Sequence, residues 1–330
     1  MLSLILVCVI AFALLFEFIN GFHDTANAIA TSVYTHALKP RQAIALAAVM
    51  NFIGALVSEK VALTISRGLV NTELELYVIM AALLGAITWN LITWWIGIPS
   101  SSSHALIGSL VGATLIYTMS LENIIWSGVL KKVIIPLFTS PLIGFVVGYF
   151  LMNIVFQICA NYSFGKVSRV FQRLQIISAA FVAYSHGNND AQKTMGIITM
   201  ALVGAGFANP AEGVPLWVKL ACAFMMALGT SVGGWRIMRT MGRGVTRLEP
   251  SNGFVSQTAS AIVIELASLV GAPVSTTQVI TTSIMGTGFA RRASAVNWGV
   301  GKDIVGAWFL TLPAAMLLGA MYEFVLRFFF

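Results

Sequence analysis

Four carboxylates stand in stretches otherwise apolar enough to lie in a bilayer: Glu17, Asp24, Asp190 and Glu265. Placing an acid at bilayer depth costs ~2.5–3.5 kcal/mol or more, so such residues mark ion paths, proton relays or ligand sites by default. Two of them have matching surroundings. Asp24 lies in Gly21-Phe22-His23-Asp24-Thr25-Ala26-Asn27-Ala28, and Asp190 in Gly187-Asn188-Asn189-Asp190-Ala191-Gln192-Lys193-Thr194. A glycine ahead of the acid lets the backbone turn and expose carbonyls. Carboxylate, amide and carbonyl oxygens are hard ligands suited to Na⁺, and a carboxylate in low dielectric also takes up a proton. Capping of the following helix is the local alternative for each acid. Their recurrence favours a coupling-cation site, with a helix break expected at 20–24 and another at 185–190.

A second repeated feature supplies donors. Pro99-Ser100-Ser101-Ser102-Ser103-His104 returns 174 positions later as Pro273-Val274-Ser275-Thr276-Thr277-Gln278, and Gly97/Gly271, Ser109/Ser283 and Gly112/Gly286 keep the same spacing. Hydroxyl residues that follow a proline and open a helix present OH groups and unpaired backbone N–H groups. Two such helix starts pointing at each other make a site for a tetrahedral oxyanion. Ordinary N-capping by Ser101 and Thr276 is the local alternative. The anion candidates are Ser101, Ser102, Ser103, Ser275, Thr276 and Thr277.

Other polar residues carry less. Glu17 shares a helix face with Asp24 and reads as a relay acid or as a partner for a buried amide. Glu265 lies in the arm before Pro273. Lys193 either neutralises Asp190 or contacts an anion. His23 and His104 titrate near neutrality when unperturbed, and serve equally well as hydrogen-bonded structural groups. Gly229-Thr230-Ser231-Val232-Gly233-Gly234 lacks the Gly-Lys-Ser/Thr ending of a phosphate-binding loop. Cys8, Cys159 and Cys222 have neither pairing nor metal-ligand spacing. With no nucleophile–base pair and no metal-ligand cluster, the chain does not read as an enzyme, and no organic cofactor is implied.

The elements that hold these residues are membrane helices. Of 330 residues, 58% are hydrophobic and only 9% charged, against roughly 25% charged in soluble domains. The reading is an all-α polytopic membrane protein with around ten helices at ~20 residues per crossing. The net charge of +7 sits mostly in short loops, which is topology signalling and excludes a nucleic-acid partner. Loops 158–173, 236–249 and 291–292 are basic and so cytoplasmic, 59–75 is external, and Lys131 and Lys132 fit this scheme less well. If each Pro-Ser segment tips a re-entrant helical hairpin, each half makes three net crossings. An odd number forces two inverted-topology repeats, 1–157 and 174–330, joined by a short basic linker at 158–173. Both termini are then extracytoplasmic. Residues 1–19 read as a retained helix. Inverted halves with discontinuous helices and a polar centre mark many secondary transporters.

The two acid motifs and two hydroxyl segments, in this order, resemble the inorganic phosphate transporter (PiT) family over essentially the whole chain. The first motif is close to the family's Gly-Ala-Asn-Asp-Val-Ala-Asn-Ala, and 186–196 is similar to its second-half version. The resemblance implies a homodimeric phosphate symporter driven by Na⁺ or H⁺ and working by alternating access. It places Asp24, Asn27 and Asp190 in the ion and substrate site, with Na⁺ a candidate there. Asn189 and Gln192 become neighbours of the cation or the phosphate, and the six hydroxyl residues bind the anion. Phe22-His23 replaces Ala-Asn, a variant similar to the bacterial low-affinity, proton-coupled permeases. Gln278 stands where the second tip usually carries His, and Gln257 where relatives often carry Glu. Sulfate is the alternative oxyanion, since hydroxyl and amide donors alone do not separate it from phosphate.

Overall fold

The computed structural model describes residues 2–70 and 74–330, without the side chains of residues 2, 3, 27, 67, 210 and 243. Among the described residues thirteen α-helices run in the order α1 (Leu2–Tyr34), α2 (Pro40–Ala55), α3 (Lys60–Gly68), α4 (Leu76–Ile96), α5 (Ser102–Thr118), α6 (Trp126–Val129), α7 (Ile135–Cys159), α8 (Phe164–Gly204), α9 (Leu216–Val232), α10 (Trp235–Arg239), α11 (Pro250–Leu269), α12 (Thr276–Arg291) and α13 (Trp298–Leu326). Among the described residues four segments are long and apolar enough to cross a membrane: Leu4–Tyr34, Leu76–Ile96, Trp126–Cys159 and Trp298–Leu326. Two bent pairs bring the number to six: Pro40–Ala55 with Lys60–Ser66 at 68°, and Leu216–Val232 with Trp235–Gly242 at 60°. Large apolar side chains such as Leu142, Phe150, Leu317 and Met321 are exposed on α7 and α13, as befits helices whose solvent is hydrocarbon.

The element order repeats. A long helix, a bent pair, a helical hairpin and a final long helix occur first in α1–α7 and again in α8–α13. Local sequence explains the matched ends. Ser101 and Ser275 cap α5 and α12 by accepting from the backbone N–H groups of His104 and Gln278, at 3.2 and 3.3 Å. Gly97 (φ 80°) and Gly271 (φ 70°) end the first hairpin arms in the left-handed conformation, which costs glycine no Cβ clash.

The acid motifs do not break their helices. α1 and α8 are helical throughout 20–24 and 185–190, so the discontinuity lies one element later, in the bent pairs. The glycines that suggested breaks serve close packing instead. A Cβ on Gly21 would fall 2.4 Å from the Met226 carbonyl oxygen, and one on Gly187 would fall 2.3 Å from that of Asn51. Each long helix thus lies against the bent pair of the other half. Gly187→Leu is expected to force α8 off α2, at about 1–3 kcal/mol for an overpacked contact. Thermal unfolding in detergent checks this, and an unchanged midpoint contradicts the packing.

The long helices also meet each other. Glu17 pairs with Thr194, Asp24 lies beside Asp190 and His186, and Thr35 donates to Gln175 at 2.6 Å. Partner numbers fall as α1 advances, so α1 and α8 run antiparallel with their acids at the crossing.

Candidate functional site

The crossing of α1 and α8 brings both acids together, and the two hairpin tips close over them. Asp24, His186 and Asp190 each offer a ligand atom within 4.8 Å of the others, and all three are buried. Ser102 Oγ donates to Asp24 Oδ2, with Asn20 Oδ1 at 2.8 Å as its other acceptor. Thr276 Oγ1 donates to Asp190 Oδ2 at 2.9 Å. Each tip therefore binds the acid of its own half through matched hydroxyls. The next residue of each tip reaches across. Thr277 Oγ1 donates to Asp24 Oδ1 at 3.2 Å, and Ser103 Oγ accepts from Lys193 beside Asp190.

The two acids differ in their cations. Lys193 Nζ lies 2.5 Å from Asp190 Oδ1 and 2.9 Å from the Val274 carbonyl oxygen. Its three donors are thus spent on Asp190, Val274 and Ser103. His186 Nε2 stands 3.2 Å from Asp190 Oδ2, off the line of a hydrogen bond. Asp24 has only the His23 imidazole, whose Nδ1 lies 2.7 Å from Oδ1. Among the described residues no Lys or Arg nitrogen lies within 4.0 Å of Asp24. The lysine at the centre is thus committed to Asp190, and Asp24 is left with hydroxyl and imidazole neighbours.

Other candidates are near but committed elsewhere. Ser101 and Ser275 cap their helices and contact neither acid. Gln192 Oε1 accepts from Val61 N at 2.8 Å, so its amide ties α8 to the start of α3. Asn189 Nδ2 donates to Ser268 Oγ at 2.9 Å and the Ala272 carbonyl at 3.2 Å, while its buried Oδ1 has no partner. The side chain of Asn27 lies outside the described residues. Glu17 accepts from Thr194, and Glu265 accepts from Asn188 at 3.1 Å. Gln257 bonds Ser32 Oγ at 2.7 Å and Ser178 Oγ at 2.8 Å. His104 Nδ1 and both polar atoms of Gln278 are buried without partners.

One network had no sequence signal. Asn51 Nδ2 lies 3.1 Å from Thr25 Oγ1 and 3.0 Å from Thr230 Oγ1, and its Oδ1 lies 3.0 Å from His186 Nδ1. It joins α1, α2, α8 and α9 through residues adjacent to both acid motifs. Asn51 and Thr230 do not match each other in the repeat: the counterpart of Asn51 is Met226, whose carbonyl lies on Gly21 as that of Asn51 lies on Gly187.

A buried pair of acids shared by two half-structures of membrane helices, closed over by the hydroxyl donors of two hairpin tips, is the arrangement of a membrane transporter. Comparison with known proteins gives the kind. The sequence profile of the phosphate transporter family matches residues 20–165 and 160–319. A Bacillus subtilis protein described as a "probable low-affinity inorganic phosphate transporter" is 48% identical over all of this chain and 99% of its own length. One from Rhizobium meliloti with the same description is also 48% identical, over 97% of this chain and 96% of its own. A solved structure described as "the sodium-dependent phosphate transporter" superposes with a TM-score of 0.86 at 26% identity, over 99% of this chain and 100% of that one. The chain belongs to the PiT phosphate transporter family.

Proposed function

We propose that this protein imports inorganic phosphate by secondary active symport with H⁺ or Na⁺. In this reading residues 1–157 and 174–330 are inverted repeats joined at 158–173, both termini are extracytoplasmic, and alternating access occurs around the acid pair in a homodimer of the cell membrane. The antiparallel crossing of α1 and α8 supports the inversion, because equivalent helices of opposite direction are related by an axis in the membrane plane. The observation that carries the coupling is that Lys193 pairs with Asp190 while, among the described residues, no Lys or Arg pairs with Asp24.

Coupling follows from shared donors. While Asp24 is ionised and empty, its carboxylate occupies the hydroxyls of Ser102 and Thr277. It also repels an approaching phosphate, at a short range where low dielectric keeps the repulsion strong. A proton or Na⁺ on Asp24 neutralises the carboxylate and weakens the hold on both hydroxyls. They then turn toward the anion, along with Ser103, Thr276 and the Lys193 ammonium beside them. The anion therefore follows the cation: phosphate on the unneutralised centre would add negative charge to negative charge, and a cation on Asp24 first removes that repulsion. The oxygens of Asp24, Ser102, Thr277 and Asn20 suit Na⁺ as cargo, while the imidazole of His23 on Asp24 supports the proton.

Uptake of labelled phosphate into proteoliposomes tests the proposal. Accumulation is expected to require an inward proton or Na⁺ gradient and to persist in excess sulfate. Uptake indifferent to both gradients sinks the symport. Competition by sulfate as strong as that by phosphate sinks the anion assignment.

A further inference from the structure

The hairpin arms α4 and α11 end in carbonyls that no intrahelical N–H can reach. Each arm has one such carbonyl bound by a cation from the opposite half. Arg236, in α10, donates from an Nη to the Trp95 carbonyl at 2.6 Å. Lys60, at the start of α3, donates to the Leu269 carbonyl at 3.0 Å. Trp95 and Leu269 stand 174 positions apart, the spacing of the hydroxyl segments themselves. Lys60 and Arg236 both belong to the short second helices of the bent pairs.

The contacts around each cation repeat too. Four residues after Arg236, Thr240 Oγ1 donates to the Gly97 carbonyl at 2.8 Å. Four residues after Lys60, Thr64 Oγ1 lies 3.3 Å from where a Cβ on Gly271 would be. The Arg236 guanidinium also lies 4.5 Å from the ring centroid of Trp95 and 5.6 Å from that of Trp94, within the range of cation–π attraction. A cation at a helix C-terminus is favoured by the helix dipole as well as by the hydrogen bond.

Each short helix also grips the central helices. Gln192 of α8 accepts from the N–H groups of Val61 and Ala62 at the start of α3, at 2.8 and 3.3 Å. Ahead of α10, a Cβ on Gly234 would fall 2.3 Å from the Phe22 carbonyl oxygen of α1. Each long helix is thus linked, through one short helix of the other half, to the hairpin turn of its own half.

We propose that Arg236 and Lys60 are positioning residues that latch the first and second hairpin turns, and that release of one latch at a time opens the site to one face of the membrane. The assignment of faces rests on the alternating access proposed above; the latches themselves rest on the repeated contacts. Both cations are exposed, so neutral replacements leave the buried packing in place.

The test uses full-length protein in liposomes with Cys8, Cys159 and Cys222 replaced by alanine, and without phosphate. Ile98→Cys or Ala272→Cys, at matching places in the two turns, reports the rate of labelling by a membrane-impermeant maleimide. Arg236→Met is expected to speed labelling of Ile98→Cys about tenfold, the scale of one lost charged hydrogen bond, with Ala272→Cys unchanged. Lys60→Met is expected to do the reverse. Arg236→Lys keeps the cation and is expected to label at the parental rate. Unchanged rates in both Met variants, a rise at both turns in either variant, or Arg236→Lys labelling as fast as Arg236→Met each overturn the proposal. Because labelling needs no transport, failure of phosphate symport would leave these rates intact and show separately in uptake.

Discussion

Asp24→Asn is expected to reduce gradient-driven phosphate uptake at least about a hundredfold, or about 2.8 kcal/mol, in a protein that folds normally. The amide preserves the shape of the carboxylate: its oxygen still accepts from one of the neighbouring hydroxyls of Ser102 and Thr277, and its NH2 donates to the oxygen of the other. What it removes is the carboxylate's charge, and with it the attraction for a proton or Na⁺. The substituted site thus resembles the parent with its cation bound. Exchange of external for internal phosphate at equal concentrations is therefore expected to survive, while accumulation and its dependence on the ion gradient disappear. Measuring uptake and exchange on the same proteoliposomes separates the two. Normal accumulation, with its cation dependence intact, would remove Asp24 from the coupling role.

The acids and the hydroxyl tips were legible in the sequence because expensive residue types recur there at fixed spacing in an apolar chain. Asp24, Asp190, Ser102, Ser103, Thr276 and Thr277 all meet in one buried cluster. The same motifs misled about the backbone. Glycine beside polar residues reads equally well as a turn or as a place for another helix to approach, and Gly21 and Gly187 prove to be the second kind. A pattern along one chain segment carries no trace of the segment that will press against it. The bonds from Lys60 and Arg236 were hidden for a related reason. Their acceptors are backbone carbonyls, which every residue possesses, so nothing in Trp95 or Leu269 announces them. Asn189 and Gln192 show a third limit. Their position beside Asp190 was plain, but side-chain direction on a helix sends their amides to Ser268 and to the start of α3.

Lys193 and Asp190 are expected to behave as one unit in stability and as two residues in transport. The pair is buried, with Nζ and Oδ1 2.5 Å apart, so removing either partner strands a charge away from water. Lys193→Met and Asp190→Asn are each expected to cost about 3–5 kcal/mol. The double variant strands nothing and is expected to regain most of that loss, giving a coupling energy beyond the 0.5 kcal/mol or so at which distant substitutions already add. Thermal unfolding of the four proteins in detergent measures this directly. Uptake is expected to stay lost in the double variant despite its recovered fold. Among the described residues Lys193 is the only Lys or Arg that bonds a hydroxyl of the cluster, and Asp190 holds it in reach of both tips. Independent, additive losses in stability would mean the pair is not coupled. Phosphate uptake by the double variant at the parental rate would mean that it is a structural bridge only, and would leave the hydroxyls of Ser102, Ser103, Thr276 and Thr277 to hold the anion without a cation.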